Sequence, residues 1–114
     1  MNITIIGTGY VGLVSGICFA EFGFNITCVD KEVKKILNLQ DGEVPIYEPG
    51  LEAMLKRNID ANRITFSTNL ESAVRSADIV FIAVGTPSRR GDGHADLSFV
   101  FNAAEEIAKS INGY

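Results

Sequence analysis

The chain has 114 residues, of which 46% are hydrophobic and 21% are charged, and its formal net charge is −4. This size and composition predict one globular domain and argue against intrinsic disorder. The acidic balance without a basic block argues against a nucleic-acid partner, and no apolar run reaches the roughly 20 residues of a membrane-spanning helix.

The N-terminal residues, together with the lack of a membrane-length apolar run, predict a cytoplasmic protein. The sequence begins with a strand-like run and lacks the basic segment and cleavage site of a signal peptide. Cys18 and Cys28 fall in a predicted helix and a predicted strand. Two cysteines define neither a disulfide framework nor a metal site, so we expect buried free thiols.

The first predicted strand, Asn2 to Ile6, is a continuous apolar run of the kind that is buried on both faces of a parallel sheet. It leads into Gly7, Gly9 and Gly12, spaced as G-x-G-x-x-G. The first glycine permits a tight turn, the second lets a diphosphate approach the backbone, and the third lets the next helix pack closely. Glycine-rich turns also end strands for purely structural reasons, so the pattern needs support from its context.

The first predicted helix runs from Tyr10 to Phe22 and is apolar on nearly every side, so we expect it to be buried. Gly12, Gly16 and Ala20 recur every fourth residue and form a small-residue face toward the sheet. Gly23 is expected to end the helix. The free N–H groups and the positive dipole at the start of the helix favour a phosphate.

The second predicted strand, Asn25 to Val29, ends in Asp30, where the dinucleotide-binding pattern has an acidic residue about 20 positions after the glycines. A carboxylate there accepts hydrogen bonds from a ribose 2′-hydroxyl and repels a 2′-phosphate, which favours NAD over NADP. Lys31 weakens that exclusion slightly. An N-cap of the next helix is the structural alternative for Asp30.

A short amphipathic helix is predicted over 32–39, with one apolar side formed by Val33, Ile36 and Leu37. Lys35 lies one turn beyond Asp30 and could reach a cofactor phosphate or ribose. From the residues alone, a solvated lysine is the simpler interpretation.

Residues 41–50 contain two prolines and two glycines, which predicts a loop. Its apolar and aromatic residues indicate that it packs against the domain. Tyr47 and Glu48 could be functional, although an ordered surface loop is the favoured interpretation. A helix over 51–59 and a short strand over 63–67 follow.

Thr68 and Glu71 form a capping-box pattern that opens a short helix. Residues 78–84 then form the most apolar predicted strand, which we expect to be buried on both faces. Asp96 or Ser98 is expected to cap a final helix with an apolar repeat at Val100, Phe101, Ala104, Ile107, Ala108 and Ile111.

The alternation of strands and helices predicts an α/β fold: a Rossmann-type, doubly wound parallel sheet with strand order 3-2-1-4. Ligands bind such sheets at the carboxyl ends of the strands, at the switch point between strands 1 and 4. The glycine turn, Asp30 and the turn after residue 84 should therefore meet at one edge.

Several segments together resemble the UDP-glucose/GDP-mannose dehydrogenase family. The glycine turn is common to many dehydrogenases, whereas the other segments are more particular, and in order and spacing they cover nearly the whole chain. The matching segments are G-T-G-Y-V-G-L from Gly7, V-D at Asp30, P-I-Y-E-P-G-L from Pro45, A-D at Asp78, V-G-T-P from Val84, and A-D-L-S from Ala95.

This resemblance implies an enzyme that oxidises the C6 hydroxyl of a nucleotide-linked hexose to a carboxylate, using two NAD and a thioester on a cysteine. It implies NAD and a nucleotide sugar as partners and a homo-oligomeric parent enzyme. The glycine turn would bind the diphosphate, Asp30 and Lys35 the adenosine ribose, and the 84–87 turn the adenosine. The implied cofactor-binding residues are Gly7, Gly9, Tyr10, Val11, Gly12, Asp30, Lys35, Val84, Gly85, Thr86 and Pro87.

Family members are several hundred residues long, and their cysteine nucleophile, catalytic lysine and uridine site match nothing here. Neither cysteine nor His94 matches a catalytic residue. We therefore expect residues 1–114 to be the NAD-binding domain of a longer enzyme, with weak NAD binding and no turnover on its own. The alternatives are a stand-alone NAD-sensing module and a dehydrogenase for another nucleotide sugar, such as GDP-mannose or a UDP-N-acetyl sugar.

Overall fold

The computed structural model describes residues 1–46, 48–84 and 98–111, with the side chain of residue 99 left out. Strands and helices alternate along this part of the chain, as the sequence predicts. The elements are β1 (Asn2–Ile6), α1 (Tyr10–Glu21), β2 (Asn25–Val29), α2 (Val33–Gln40), α3 (Leu51–Asp60), β3 (Ile64–Ser67), α4 (Leu70–Arg75), β4 (Ile79–Ile82) and α5 (Ser98–Ser110).

The four described strands form one parallel sheet in the order β3-β2-β1-β4, which confirms the predicted fold and strand order. In this register Ile3 of β1 lies between Ile26 of β2 and Ile79 of β4. Because β1 and β2 both have neighbours on two sides, their carboxyl ends lie near the middle of one edge. The chain crosses from one half of the sheet to the other between β3 and β4.

Helices cover both faces of the sheet. On one face α1, α2 and α3 bury a core that includes Ile5, Leu13 and Leu55. On the other face α4 and α5 cover a smaller core that includes Ile6 and Val29. This arrangement is the doubly wound architecture of an α/β domain.

The small-residue face of α1 lies against the sheet as predicted. A β-carbon at Gly16 would lie 2.8 Å from the Sγ atom of Cys28 on β2, so the close approach of helix and strand requires glycine there. Gly23 follows the end of α1 with a φ of +105°, which agrees with its predicted role at the helix end.

Two burial predictions for the helices on this face are wrong. Tyr10 and Val11 of α1 are exposed, because the first turn of α1 extends beyond the sheet edge. In α2, Val33 and Leu37 are exposed, whereas Ile36 is buried together with Leu39. A helix of eight residues contacts the core through one narrow stripe, and here the stripe has the i, i+3 spacing.

The predicted cap of α4 is also wrong. Asn69, not Thr68, is the N-cap residue, and its side chain accepts a hydrogen bond of 3.1 Å from the Ser72 amide. Asparagine caps helices at least as well as threonine. Glu71 instead forms an ion pair with Arg75 one turn later, at 2.6 Å.

The apolar strand β4 is half exposed, which contradicts the predicted burial on both faces. Ile79, Phe81 and Ile82 are 39%, 44% and 39% exposed, because β1 is the one described strand that pairs with β4. In α5 the predicted apolar repeat is largely exposed, including Phe101, and Ala103 is the buried position instead. The predicted cap at Asp96 lies outside the described residues.

A buried polar contact, which the sequence does not predict, joins α1 and α3. The Asn58 side chain is fully buried and donates hydrogen bonds to Glu21 and to the Met54 carbonyl oxygen. Arg57 binds the Glu21 carboxylate through two nitrogens, and this bonding holds the pKa of Glu21 below its ordinary value. The contact fixes the carboxyl end of α1 against its neighbour.

Among the described helices, none combines the length and apolar character needed to cross a bilayer. Cys28 is buried as expected, and burial raises the pKa of its thiol to about 12. Cys18 is half-buried, so the expectation of burial holds for one thiol and is incomplete for the other.

Candidate functional site

Two of the three glycines in the turn after β1 are required by close backbone contacts. Gly7 has a φ of +106°, and a β-carbon there would lie 2.6 Å from the Ala83 carbonyl oxygen at the end of β4. A β-carbon at Gly12 would collide with the carbonyl oxygen of Gly7 and lie 3.1 Å from the Ala83 side chain. These two glycines let α1 start directly against the ends of β1 and β4.

Gly9 is different, because a β-carbon there would meet no heavy atom within 4 Å. Its φ of −71° is accessible to any residue, so neither packing nor backbone conformation requires glycine. The open space above Gly9 lies at the start of α1, where a bound group can approach the bare backbone. Glycine at this position is therefore explained by the close approach of a ligand to the backbone and not by the fold.

The start of α1 carries no anion of its own. Gly9 is the N-cap residue, no side chain caps the helix, and its first turn contains no acidic residue. The N–H of Leu13 donates to the Gly9 carbonyl oxygen at 2.9 Å. The amides of Tyr10, Val11 and Gly12 precede this bond in the first turn and have no partner within the helix, which suits a phosphate.

Asp30 lies at the end of β2 and turns back toward the glycine turn. Its Oδ2 atom accepts hydrogen bonds from the Thr8 hydroxyl at 2.7 Å and from the Thr8 amide at 3.0 Å. Its Oδ1 atom accepts the Glu32 amide at 3.0 Å. The N-cap of α2 is Glu32, so the Asp30 carboxylate caps the turn before the helix rather than the helix itself.

These contacts keep Asp30 ionised. Burial alone would raise the pKa of the carboxyl, but the hydrogen bonds from the Glu32 amide and from Thr8, together with the Lys35 charge, outweigh burial and lower its pKa. The side chain is 18% exposed. Asp30 therefore presents a negative charge at the strand end over the ordinary pH range.

The lysines at this edge are paired with carboxylates. The Nζ atom of Lys35 lies 3.7 Å from Asp30 Oδ2 and 3.7 Å from Glu32 Oε2, so this side chain lies at the end of β2. Lys31 pairs with Glu106 of α5 at 3.0 Å. The pairing reduces the free positive charge available to a 2′-phosphate.

A cavity of about 390 Å³ opens beside Asp30 at the carboxyl ends of the strands. Ile6 and Gly7 of the first strand end, Val29 of the second and Val84 after the fourth contribute to its wall. The far side is closed by α4 and α5, through Leu70, Asn102, Ala103 and Glu106. A largely apolar cavity with the Asp30 carboxylate at the strand end suits a nucleoside, and the second carboxylate of the lining, that of Glu106, is paired with Lys31.

The structure thus brings together most of the residues that the sequence singles out. Gly7, Asp30 and Val84 line one cavity, and Lys35 contacts Asp30. Tyr10 and Val11 stand exposed at the start of α1. The turn formed by Gly85, Thr86 and Pro87 lies outside the described residues, as does Tyr47.

Sequence reasoning missed several residues of this edge. Thr8 occupies a variable position of the glycine pattern, and its hydroxyl beside Asp30 gave no signal in the sequence. Ala103 and Glu106 belong to α5, far along the chain, and reach the cavity through the crossover of the chain. Glu48, which the sequence offers as a possible functional residue, accepts a hydrogen bond from the Tyr10 hydroxyl at 3.3 Å.

A parallel sheet with a crossover beside β1, a glycine turn into an uncapped helix and a carboxylate at the end of β2 define a Rossmann-type dinucleotide-binding domain. The chain belongs to the UDP-glucose/GDP-mannose dehydrogenase family: the model of that family's NAD binding domain matches residues 1–114. The domain's cofactor is NAD, and the expected family resemblance is confirmed.

Relatives of known name agree with this assignment. The chain is 57% identical over 114 residues to a UDP-glucose 6-dehydrogenase of Rhizobium meliloti, covering 100% of this chain and 26% of that protein. The structure of a GDP-mannose dehydrogenase from Pseudomonas aeruginosa superposes with a TM-score of 0.92 at 38% identity, covering 96% of this chain and 25% of that one. The structure of a UDP-glucose dehydrogenase from Pyrobaculum islandicum superposes with a TM-score of 0.90 at 38% identity, covering 96% of this chain and 25% of that one.

The chain spans about a quarter of the length of these relatives. Its own residues account for the cofactor part of such a protein. Within the described residues, the site contains open space at Gly9, the Asp30 carboxylate and a largely apolar cavity, and neither cysteine belongs to the lining of that cavity.

Proposed function

We propose that residues 1–114 form the NAD-binding domain of a UDP-glucose 6-dehydrogenase, a longer enzyme whose central and UDP-binding domains lie elsewhere in the polypeptide. The observation that carries the proposal is the open backbone at Gly9 beside the ionised Asp30. The identity of 57% over the whole chain to a protein named UDP-glucose 6-dehydrogenase supports the choice of substrate.

In this proposal the NAD diphosphate lies over Gly9 and accepts hydrogen bonds from the first-turn amides of α1. The adenosine ribose lies beside Asp30, whose carboxylate accepts hydrogen bonds from the ribose hydroxyls. Lys35 stands next to that carboxylate and supports the ribose or phosphate. The adenine occupies the apolar cavity, with Val84 on one side.

The proposed reaction oxidises the C6 alcohol of UDP-glucose in two steps that each reduce one NAD, and water then hydrolyses the resulting cysteine thioester to give the carboxylate of UDP-glucuronate and the free thiol. This domain binds and orients the cofactor for both steps. The cysteine that carries the thioester is a residue of another domain. Cys28 is unsuited to that role, since it is buried and its thiol pKa is raised to about 12.

A dehydrogenase acting on GDP-mannose is the second candidate, because the GDP-mannose dehydrogenase structure superposes with a TM-score of 0.92. Its identity to this chain is 38%, against 57% for the UDP-glucose 6-dehydrogenase of Rhizobium meliloti. No described residue of this domain recognises the sugar or the base of the substrate. We therefore favour UDP-glucose on overall similarity.

The test is NADH formation by the full-length protein, followed at 340 nm with UDP-glucose, GDP-mannose and UDP-N-acetylmannosamine as separate substrates. We expect two NADH per UDP-glucose consumed. Turnover of GDP-mannose alone would replace the first candidate by the second. Substantial turnover by the 114-residue chain would contradict the assignment of the chemistry to other domains.

The cofactor site is tested separately by Gly9→Val. Because the space around Gly9 is open, the variant should keep its unfolding free energy while its side chain fills the position of the diphosphate. We expect NAD binding to be lost in a calorimetric titration. Val33→Ala, at an exposed position of α2, is the matched control and should bind NAD normally. Normal binding by Gly9→Val would place the cofactor elsewhere.

A further inference from the structure

Thr8 lies between the first two glycines of the turn, at a position where the glycine pattern accepts any residue. Its side chain is nevertheless 1% exposed and faces the end of β2. The hydroxyl donates a 2.7 Å hydrogen bond to Asp30 Oδ2, and the Thr8 amide donates a 3.0 Å bond to the same oxygen. One residue of the diphosphate turn thus holds the carboxylate of the ribose site.

The two oxygens of Asp30 have different surroundings. Oδ2 carries both Thr8 bonds and lies 3.7 Å from the Lys35 ammonium. Oδ1 accepts one bond, from the Glu32 amide, within the described part of the chain. A carboxylate oxygen can accept about two hydrogen bonds, so Oδ1 has capacity for a ligand hydroxyl.

The Thr8 hydroxyl restricts a torsion that is otherwise soft. Rotation of a carboxylate about its final side-chain bond has broad minima, so packing alone fixes it poorly. Donors on both oxygens, Thr8 on one side and the Glu32 amide on the other, define the plane of the group. The bond from Thr8 is the shortest of these contacts, and bonds to an ionised acceptor are stronger than neutral ones.

The Thr8 amide is also removed from the set of donors available to a diphosphate, because it is bonded to Asp30. The amides of Tyr10, Val11 and Gly12 remain for that ligand. The turn is therefore divided: one residue anchors the carboxylate, and the residues that follow face the phosphates. The two hydrogen bonds from Thr8 to Asp30 therefore connect the diphosphate part of the cofactor site to its ribose part.

We propose that Thr8 is a positioning residue for cofactor selection: its hydroxyl holds the Asp30 carboxylate so that one oxygen faces the ribose 2′-hydroxyl of NAD and repels the 2′-phosphate of NADP. This inference rests on the proposed placement of the adenosine ribose at Asp30. Loss of the hydroxyl leaves the carboxylate charged but removes its shortest hydrogen bond, so that the Thr8 amide alone holds Oδ2 and the group is oriented less firmly. Binding of NAD then weakens and discrimination against NADP falls.

The test uses the full-length protein with Thr8→Val, which keeps the shape of the side chain and removes the hydroxyl, and Thr8→Ser, which keeps the hydroxyl. The affinities for NAD and NADP are each measured by calorimetric titration. We expect Thr8→Val to bind NAD about tenfold more weakly and to lose most of its preference for NAD over NADP. Thr8→Ser should retain the preference within about twofold.

A purely structural role for Thr8 predicts a different result. It would lower the unfolding temperature of Thr8→Val and leave the ratio of NAD to NADP affinity unchanged, which would overturn the proposal. If Thr8→Val does not fold, Thr8→Ala and Thr8→Ser form the deciding pair, because they differ by the hydroxyl alone. An equal ratio of NAD to NADP affinity in Thr8→Ala and Thr8→Ser would also overturn the proposal.

Asp30→Ala separates this inference from the proposed function. If Asp30→Ala binds NAD as well as the parent protein, the ribose is not at Asp30, and both proposals fail. If Asp30→Ala binds NAD weakly while Thr8→Val keeps the parent affinity and preference, the ribose site stands and the role of Thr8 is refuted. The inference is supported if both Asp30→Ala and Thr8→Val bind NAD more weakly than the parent protein while Thr8→Ser keeps the parent affinity and preference.

Discussion

Two adjacent parts of this domain both contain an apolar strand, but their apolar side chains differ greatly in burial. In the β1-α1-β2 unit, Ile5 and Leu13 are 1% and 0% exposed, whereas Phe81 of β4 is 44% and Phe101 of α5 is 66% exposed. β1 has a strand on each side and helices on both faces, while the described sheet leaves one side of β4 without a neighbour. An apolar run therefore predicts a strand, and its neighbours decide whether the strand is buried.

The largest effect that tests this contrast comes from a matched pair of register partners. Ile3 of β1 and Ile79 of β4 lie side by side and are 5% and 39% exposed. In the 114-residue chain, Ile3→Ala should lower the free energy of unfolding by about 2–5 kcal/mol, because it leaves a cavity. Ile79→Ala should cost less than about 1 kcal/mol. Urea unfolding measures both, and equal losses would mean that β4 is covered in solution.

A second test exchanges glycine and alanine in the two regions. Gly16→Ala gains about 1 kcal/mol of helix propensity but forces a methyl group against Cys28, at a packing cost of about 1–3 kcal/mol. We expect a net loss of up to about 2 kcal/mol. Ala104→Gly, at an exposed position of α5, should lose about 1 kcal/mol through propensity alone.

Thermal or urea unfolding of both variants decides whether packing or propensity prevails. Adding Cys28→Ala to Gly16→Ala should recover part of the loss, because it removes the atom that the new methyl group meets. A Gly16→Ala variant more stable than the parent chain would show that α1 can move away from β2.

A smaller effect concerns the charged edge of the β1-α1-β2 unit. The pKa of Asp30 is lower in the folded chain than in the unfolded one. Its contribution to stability is therefore complete above about pH 4, near the unfolded value, and is lost as the pH falls through the folded pKa. Asp30→Asn should be less stable than the parent chain at pH 7, and the difference should shrink only below about pH 4.

Glu21 also has a lowered pKa and titrates in the same range, so the comparison has to be made as a difference between variant and parent. Urea unfolding at pH 3 and pH 7 gives that difference directly. If the difference in unfolding free energy between Asp30→Asn and the parent chain is equal at both pH values, the ionised form of Asp30 makes no net contribution to stability.

The smallest expected effect lies at the contact between the two regions. Lys31 and Glu106 join the end of β2 to α5, but the side chains are 81% and 41% exposed. Glu106→Gln should cost about 0.2–1 kcal/mol, and 1 M salt should reduce the difference. Glu105→Gln, which breaks the pair with Lys109 inside α5, is the control. A larger loss for Glu106→Gln would indicate that α5 depends on this ion pair.

The sequence predicts the strand order and element sequence well because these depend on local periodicity and on the handedness of crossovers. The sequence does not predict burial or the choice of capping residue, because these depend on which segments lie next to each other in the fold. Within the part of the chain that the structure describes, β4 pairs with β1 alone and is exposed, and periodicity cannot reveal which segments lie beside a strand. The cap of α4 fails because Thr68 and Asn69 are both good caps, and the backbone path selects the second.

For the candidate site, the sequence predicts the parts that depend on backbone chemistry. The glycine spacing and the acid at the end of β2 are local signals, and their meeting at one edge follows from the parallel sheet. Thr8 and Glu106 could not be predicted, because their roles come from contacts between distant segments. The role of Lys35 in cofactor binding comes from family resemblance and stays a prediction, while the structure places its ammonium 3.7 Å from Asp30.

The burial of Cys28 provides an intrinsic reporter of the dynamics of the cofactor domain. Its sulfur lies between α1 and β2, and at neutral pH the thiol is protonated, because its pKa is raised to about 12. An alkylating reagent can reach this sulfur only in molecules whose first helix has moved away from the sheet. The labelling rate of Cys28, compared with that of the half-buried Cys18, therefore measures how often α1 separates from the sheet. Ligands that close the domain should lower the labelling rate of Cys28.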